Sequence, residues 1–162
     1  MASSDIASVR AGRDSDVGVL DIRADSPQHL TRPWRILLID DQTDLRQCVA
    51  TILEEAGHMV EEAESGDAGI RTLHISPIDL VITDLQMSGL SGWDVARAAR
   101  SIRPELPVIV MTGCPELLGS ETEVAALFAG VLNKPFHAET LLRLIAKLTN
   151  TENMPEHLVS SN

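Results

Sequence analysis

The chain has 162 residues, 44% of them hydrophobic, and carries a formal net charge of −11 at pH 7. This size suits a single domain that buries its own core without disulfide bonds or structural metals. The negative charge argues against binding to nucleic acid or anionic lipid, and no apolar run approaches the roughly 18 residues that a membrane helix needs.

The N-terminal segment predicts a tail rather than a folded element or a secretion signal. Residues 1–32 show no sustained helical or strand period, and they lack a basic start followed by an apolar stretch. We interpret them as disordered. Cys48 and Cys114 share no short metal-binding or redox spacing, so we expect reduced thiols and a cytoplasmic protein.

After this tail, short apolar runs alternate with amphipathic helical patterns. The first helix is predicted to begin at a cap on Thr43 or Asp44 and to close at Gly57. The fourth helix is the weakest, because Pro115 and Gly119 confine it. The predicted strands cover residues 36–39, 58–63, 78–83, 107–111 and 131–133. The later helices are predicted at about residues 66–75, 93–102, 120–128 and 138–148.

These five strand–helix pairs predict an α/β fold with helices on both faces of a parallel sheet. We expect an open, doubly wound five-stranded sheet in the order 2-1-3-4-5, a three-layer sandwich over residues 33–149. Residues 150–162 would form a short C-terminal tail. In this strand order the topological switch point lies between the first and third strands, and ligands bind beyond their C-terminal ends.

Polar residues follow the C-terminal ends of four predicted strands and should meet at one edge of the sheet. Carboxylates about 4 Å apart repel by roughly 4 kcal/mol per pair at an effective dielectric of about 20, before solvent and protonation relieve them. Such a cluster either raises a pKa or holds a cation, and hard oxygen ligands suit Mg²⁺. The residues are Asp40 and Asp41 after the first strand, Asp84 after the third, Thr112 after the fourth and Lys134 after the fifth.

The same residues suit phosphoryl transfer. An ionised carboxylate can act as a nucleophile and form an acyl phosphate, while Mg²⁺ neutralises and orients the incoming phosphoryl oxygens. Asp84 stands alone before a flexible loop and is the predicted nucleophile, whereas Asp40 and Asp41 form a metal cradle. Lys134 supplies a positive charge for the phosphoryl oxygens, and the Thr112 hydroxyl can donate to one of them.

Four stretches of the sequence together resemble the receiver domain of two-component response regulators. The resemblance covers about residues 35–148 and implies a flavodoxin-like, CheY-like fold. Any one of these stretches is weak evidence for the family, but all four together, in this order and at strand ends, are specific to it. The stretches are Leu37–Asp41, Val81–Met87, Val110–Gly113 and Lys134–Phe136.

The resemblance implies a role for each acidic residue. Asp84 matches the phosphoacceptor, and the implied donor is a phosphohistidine on a sensor histidine kinase or a histidine phosphotransfer protein. Asp41 and Asp84 match direct ligands of the cofactor Mg²⁺, and Asp40 matches an acid that acts through water. The main-chain carbonyl of Gln86 matches a further metal ligand.

The resemblance also covers the other site residues, with two departures. Thr112 matches the hydroxyl residue that swings toward the phosphoryl group, and Lys134 matches the family's lysine. Lys134–Pro135 is similar to the family's cis peptide, which proline permits. Ser88 replaces a proline that is common in the third loop, which is predicted to loosen it. Val131 replaces the family's switch aromatic, so we do not expect the usual threonine–aromatic coupling.

Two other functions stay open for the sequence. A phosphohydrolase of the haloacid dehalogenase type also uses an aspartyl phosphate and Mg²⁺, but it requires an Asp-x-Asp pattern on its first strand. This chain has adjacent acids there and places Asp84 on the third strand. A receiver-like adaptor that works without phosphorylation typically lacks a site residue, and only Val131 supports that function.

The residues after the last predicted helix leave no room for a DNA-binding output domain. We therefore expect a stand-alone receiver that is not an enzyme beyond its own phosphorylation and dephosphorylation. It would bind neither nucleic acid nor membranes. The signal would pass to a downstream effector protein through the fourth helix, fifth strand and fifth helix, a surface that is also a candidate homodimer interface.

Overall fold

The computed structural model describes residues 33–152 and the side chains of residues 33–149. The strands are β1 (Arg35–Ile39), β2 (Met59–Ala63), β3 (Leu80–Asp84), β4 (Val108–Thr112) and β5 (Gly130–Asn133). The helices are α1 (Thr43–Glu55), α2 (Gly66–Ile75), α3 (Gly92–Ile102), α4 (Glu121–Leu127) and α5 (Ala138–Glu152). All strands are parallel and lie in the order β2-β1-β3-β4-β5, which confirms the predicted topology.

The predicted N-terminal tail, residues 1–32, and residues 153–162 lie outside the described residues. Within residues 33–152, no helix combines the length and the apolar character needed to cross a membrane.

Two apolar layers cover the two faces of the sheet, because successive residues of a strand point to opposite sides. On β1, Ile36 and Leu38 belong to the layer under α1 and α5. Leu37 and Ile39 belong to the layer under α2, α3 and α4. All four side chains are fully buried. Helices therefore shield both faces, as the apolar strands predicted, and the strand ends form the rim that carries the polar residues.

The largest differences between predicted and observed helix boundaries are at the start of α1 and the end of α5. α1 begins at Thr43 with Gln42 at its N-cap, without a side-chain capping bond, so the predicted cap on Thr43 or Asp44 is wrong. α5 continues to Glu152, beyond the predicted end at 148, because no glycine or proline interrupts it. Gly57 follows α1 with φ of +92°, a left-handed conformation that glycine adopts at low cost, which confirms the predicted end.

The fourth helix is short, as its sequence predicted. A 3₁₀ turn, Pro115–Leu118, precedes it, and Gly119 separates the two with φ of +79°. The Ser120 hydroxyl accepts from the backbone N–H of Glu123, whose carboxylate accepts from the Ser120 N–H. This capping box starts a helix of only seven residues, so the first part of the segment after β4 packs as a turn instead.

The start of α3 lies directly against the end of β3. Gly92, the first residue of α3, is buried, and a Cβ built on it would lie 2.6 Å from the carbonyl oxygen of Asp84. Its N–H donates to the carbonyl of Leu85 at 3.0 Å. Ser91 and Asp94 cap the helix reciprocally. Only glycine fits this approach, which fixes where the loop after Asp84 runs.

A buried histidine links the stability of the fold to pH. His58 is 5% exposed, and its Nδ1 accepts a hydrogen bond from the backbone N–H of Trp34 at 3.3 Å. Its Nε2 has no hydrogen-bond partner among the described residues. Burial lowers the pKa of His58 below its usual value of 6.5, because the charged ring would lose its hydration.

We expect the contribution of neutral His58 to the free energy of unfolding to be complete above pH 6.5 and to fall as the pH drops below it. Below pH 6.5 the unfolded chain binds a proton at His58 more readily than the folded chain does. The free energy of unfolding then falls by at most about 1.4 kcal/mol per pH unit. His58→Asn keeps an acceptor for Trp34 and should flatten this dependence in urea titrations, whereas His74→Asn, at an exposed position, should not. An unchanged pH dependence in the His58 variant would contradict this assignment.

Candidate functional site

Three carboxylates meet where β1 and β3 end. Ile39 pairs with Thr83 in the sheet, so the next residues, Asp40 and Asp84, reach the same edge. Asp41 follows in the loop to α1, and carboxylate oxygens of the three aspartates lie within 4.8 Å of one another. Asp40 and Asp84 are buried and Asp41 is exposed. The structure therefore brings together the acidic residues that the sequence singled out.

Lys134 reaches this cluster from the end of β5. Its Nζ lies 2.6 Å from Oδ1 of Asp84 and 3.1 Å from Oδ2 of Asp40. Its backbone N–H donates to the carbonyl of Thr112 at 2.7 Å, and its peptide bond to Pro135 is cis, as predicted. The Lys134 side chain is 18% exposed, so solvent screens these two ion pairs only weakly.

The pKa values of Asp84 and Lys134 are both raised, but for different physical reasons. Burial raises the pKa of the Asp84 carboxyl, Lys134 partly opposes this shift, and the charges of Asp40 and Asp41 add to it. Burial alone would lower the pKa of Lys134, but its hydrogen bonds to Asp84 and Asp40 outweigh burial and raise it. Lys134 therefore stays charged, and one ammonium group faces three carboxylates.

Two groups that hold Asp40 were not identified from the sequence. The backbone N–H of Gln42 donates to Oδ1 of Asp40 at 2.8 Å. The Arg46 guanidinium donates to the Asp40 carbonyl oxygen at 2.6 Å and to Glu62 at 3.0 Å. With Lys134 on Oδ2, both carboxylate oxygens of Asp40 have protein donors. No local pattern marks Arg46, because its position depends on the pairing of β1 with β2.

Ser88 ties the loop after β3 to the acidic cluster. Its backbone N–H donates to Oδ2 of Asp41 at 3.1 Å. Proline lacks this N–H and could not form the bond, so Ser88 gives the loop a tie to Asp41 that the proline common in the family would not. Gln86, whose carbonyl is the predicted further metal ligand, lies in the same loop with its side chain exposed.

Thr112 links the site to the segment that follows β4. It is 1% exposed, and its Oγ1 accepts a hydrogen bond from the backbone N–H of Cys114 at 3.0 Å. Val131 is partly buried and pairs with Val110 between β5 and β4. The Thr112 hydroxyl is therefore bonded to the start of the 3₁₀ turn, and an aliphatic side chain occupies the position of the family's aromatic.

The donor set of this cluster fits Mg²⁺. Lys134 binds one oxygen of Asp84, and Ser88 binds one oxygen of Asp41. Among the described groups, the second oxygen of each carboxylate is therefore left for a ligand. Mg²⁺ prefers hard oxygen ligands and keeps several of its waters, which the exposed side of Asp41 would admit. Lys134 neutralises only part of the charge of the three carboxylates, so a divalent cation would also relieve the repulsion that remains between them.

Comparison with known proteins gives one consistent result. The family model for the response regulator receiver domain matches residues 36–146. The response regulator receiver protein CpdR of Brucella abortus is 34% identical over 114 residues, which are 70% of this chain and 95% of CpdR. The transcriptional regulatory protein GlrR of Escherichia coli is 33% identical over 117 residues, which are 70% of this chain but 26% of GlrR. The chain thus spans nearly all of CpdR and about a quarter of GlrR.

Solved structures share the fold. A response regulator receiver domain protein from Clostridium thermocellum matches with a TM-score of 0.69 and 32% identity, covering 75% of this chain and 98% of that chain. The response regulator protein TrrA from Thermotoga maritima, in complex with Mg(2+)-BeF, matches with a TM-score of 0.66 and 29% identity. That match covers 71% of this chain and 98% of TrrA. The CheY-like fold expected from the sequence is confirmed.

Proposed function

Because this chain belongs to the response regulator receiver family, we propose that Asp84 accepts a phosphoryl group from a phosphohistidine in two-component signalling. One observation carries this proposal. Asp84 ends β3, is 5% exposed and has its Oδ1 held by Lys134 within a cluster of three carboxylates. Such a placement gives an acidic nucleophile a fixed orientation beside a metal cradle.

In the proposed transfer, Oδ2 of Asp84 attacks the phosphorus of the donor. The new O–P bond forms as the P–N bond to the histidine breaks, and the imidazole nitrogen leaves with the bonding electron pair. Lys134 fixes the carboxylate through its 2.6 Å contact with Oδ1. The Thr112 hydroxyl then donates to an oxygen of the bound phosphoryl group, which Lys134 also faces.

We assign the metal to the same cluster. Asp41, Asp84 and the main-chain carbonyl of Gln86 would hold Mg²⁺, and Asp40, whose oxygens already have protein donors, would act through water. When bound, the ion neutralises phosphoryl oxygens and orients them for in-line attack. The carboxylate oxygens within 4.8 Å of one another support this assignment, as does the Mg(2+)-BeF complex of TrrA.

The proposed partners follow from this role. The donor would be a sensor histidine kinase or a histidine phosphotransfer protein, and residues 33–149 would act as one signalling unit rather than as an enzyme. Output to an effector protein, or homodimerisation, would use the surface formed by α4, β5 and α5. The chain connectivity supports this placement, because α4 follows Thr112 through the 3₁₀ turn and Lys134 directly follows the end of β5.

Phosphorylation by acetyl phosphate, measured by intact-protein mass spectrometry, tests the proposal. We expect a gain of one phosphoryl group that depends on Mg²⁺ and is abolished by Asp84→Asn, because the amide is not a nucleophile for phosphorus. Asp67→Asn, an exposed acid on α2, serves as the matched control and should be phosphorylated normally. Failure of both acetyl phosphate and a phosphohistidine protein to modify the chain would refute the proposal and favour the phosphorylation-independent adaptor.

A further inference from the structure

A groove lies at the end of the sheet opposite to Asp84, after the last residue of α3 and before the first residues of β3 and β4. Its volume is about 440 Å³, and most of its surface is apolar. We call it the basal groove. Because it borders the starts of the strands rather than their C-terminal ends, it is separate from the acidic cluster. Its apolar lining comes from Ile78, Ile102, Pro104, Leu106 and Pro107.

Arg103 holds the two sides of the basal groove together. Its guanidinium donates to the carbonyl oxygens of Ile78 at 2.8 Å, Leu73 at 2.9 Å and Ser76 at 2.7 Å. These bonds join the residue after α3 to the end of α2 and to the segment that leads into β3. The groove is therefore formed in advance, and a segment that enters it does not have to reorganise its walls.

One carboxylate of the basal groove is left without a counterion. The lining includes three charged residues, of which Asp79 accepts from the backbone N–H of Arg35 at 2.9 Å and Arg103 binds carbonyl oxygens. Glu105 is exposed and makes no hydrogen bond or ion pair with any residue between 33 and 149. The lining thus has one more negative than positive charge. An aliphatic side chain next to a cation would complement it.

The first strand begins beside the basal groove. The backbone N–H of Arg35 donates to the carboxylate of Asp79, and the N–H of Asp79 donates to the carbonyl oxygen of Arg35 at 2.8 Å. The start of β1 is therefore bonded directly to a residue of the groove wall. Pro33, two residues earlier, lies within about 12 Å of Asp79, given the spacing of residues along a chain and between strands.

The segment that precedes Pro33 has the chemistry that the groove requires. Leu30 is the large aliphatic residue nearest to Pro33 in this segment, and Arg32 supplies a cation two residues later. The three residues from Leu30 to Pro33 span up to about 10 Å, so Leu30 can reach the groove. So short a tether gives a high effective concentration, which favours binding even through a small contact. The segment precedes residues 36–146, which match the receiver family.

We propose that residues 28–32 bind in the basal groove of their own chain. Leu30 packs on the apolar lining, and Arg32 faces Glu105. The predicted disorder then applies to residues 1–27, and the folded unit begins about five residues before the predicted boundary at 33. Because the groove and Asp84 lie at opposite ends of β3, this binding leaves the acidic cluster open and does not rest on the proposed function.

Hydrogen–deuterium exchange of the full chain, measured by mass spectrometry, tests the apolar contact. Leu30→Ser removes the aliphatic side chain, and we expect the backbone amides of residues 102–106 to exchange at least about threefold faster than in wild type. Ile22→Ser makes the same kind of change farther from Pro33 and should leave this exchange unchanged. Equal exchange in wild type and Leu30→Ser would overturn the proposal.

A charge reversal tests the polar contact. Arg32→Glu should accelerate exchange of residues 102–106, because it places a second carboxylate beside Glu105. Adding Glu105→Arg to the same chain should return the exchange rate to within about twofold of wild type. Arg23→Glu is the control for the change in net charge and should have no effect. A double variant that exchanges as fast as Arg32→Glu would overturn the pairing of Arg32 with Glu105.

Disulfide trapping decides whether the segment and the groove belong to the same chain. In a background of Cys48→Ser and Cys114→Ser, Leu30→Cys combined with Ile102→Cys should form an intramolecular disulfide in a glutathione buffer. We expect it to form at least about tenfold faster than in Leu30→Cys combined with Ile75→Cys, since Ile75 is 83% exposed at the end of α2 and does not line the groove. Equal rates would overturn the binding site, and a covalent dimer as the main product would assign the groove to a second copy instead.

Discussion

Replacing Lys134 by methionine is expected to lower the free energy of unfolding by about 3 kcal/mol in Mg²⁺-free buffer. The side chain of Asp40 is 0% exposed and that of Asp84 is 7% exposed, and Lys134 contacts both. Methionine preserves most of the aliphatic volume but removes the charge, so two buried carboxylates would lose their counterion. Urea unfolding at neutral pH, followed by circular dichroism, measures the loss.

The control for this experiment is Arg71→Met, which removes a positive charge at an exposed position on α2. It should alter the free energy of unfolding by less than about 0.5 kcal/mol. Adding Mg²⁺ should return part of the stability that Lys134→Met loses, because the ion supplies positive charge to the same carboxylates. A loss below about 1 kcal/mol would show that solvent, rather than Lys134, neutralises Asp40 and Asp84.

Saturating Mg²⁺ is expected to stabilise the wild-type chain by about 2.7 kcal/mol at 100 times its dissociation constant, because the ion binds only the folded site. Removal of the ion with EDTA should reverse this gain. Asp41→Asn should abolish most of the gain, since the variant loses a carboxylate with an oxygen left for the metal. The same variant should be slightly more stable than wild type without Mg²⁺, because one like-charge repulsion is gone.

Glu55→Gln, an exposed carboxylate at the end of α1, is the matched control for Asp41→Asn. It should keep the full response to Mg²⁺, which thermal or urea unfolding at a series of ion concentrations would show. Equal stabilisation of Asp41→Asn and wild type would place the ion elsewhere and would remove Asp41 from the assigned ligand set.

The architecture was predictable because its signals are local and repeated. The apolar runs of β1, β3 and β4 are buried on both faces, which a parallel sheet covered by helices requires. The strand ends then place Asp40, Asp84 and Lys134 at one edge by topology alone. The structure confirms that these three meet through the contacts of Lys134.

What could not be predicted depends on backbone atoms and on distant partners. The N–H of Ser88 donates to Asp41, a bond that the sequence does not reveal because it depends on the path of the loop backbone. Arg46 bonds to the Asp40 carbonyl while pairing with Glu62, a contact between segments far apart in the chain. Likewise, Gln42 is the N-cap of α1 but makes no side-chain capping bond. N-cap propensity alone therefore favours its neighbours Thr43 and Asp44.

The contact between Gly92 and Asp84 limits how this site can diversify. Any side chain at position 92 would press on the Asp84 carbonyl, since even a Cβ would lie 2.6 Å from that oxygen. Asp84 and the first turn of α3 therefore behave as a single structural unit. A designer could exchange the outer surface of α3 freely, but grafting this aspartate onto another scaffold would require transplanting its helix start as well.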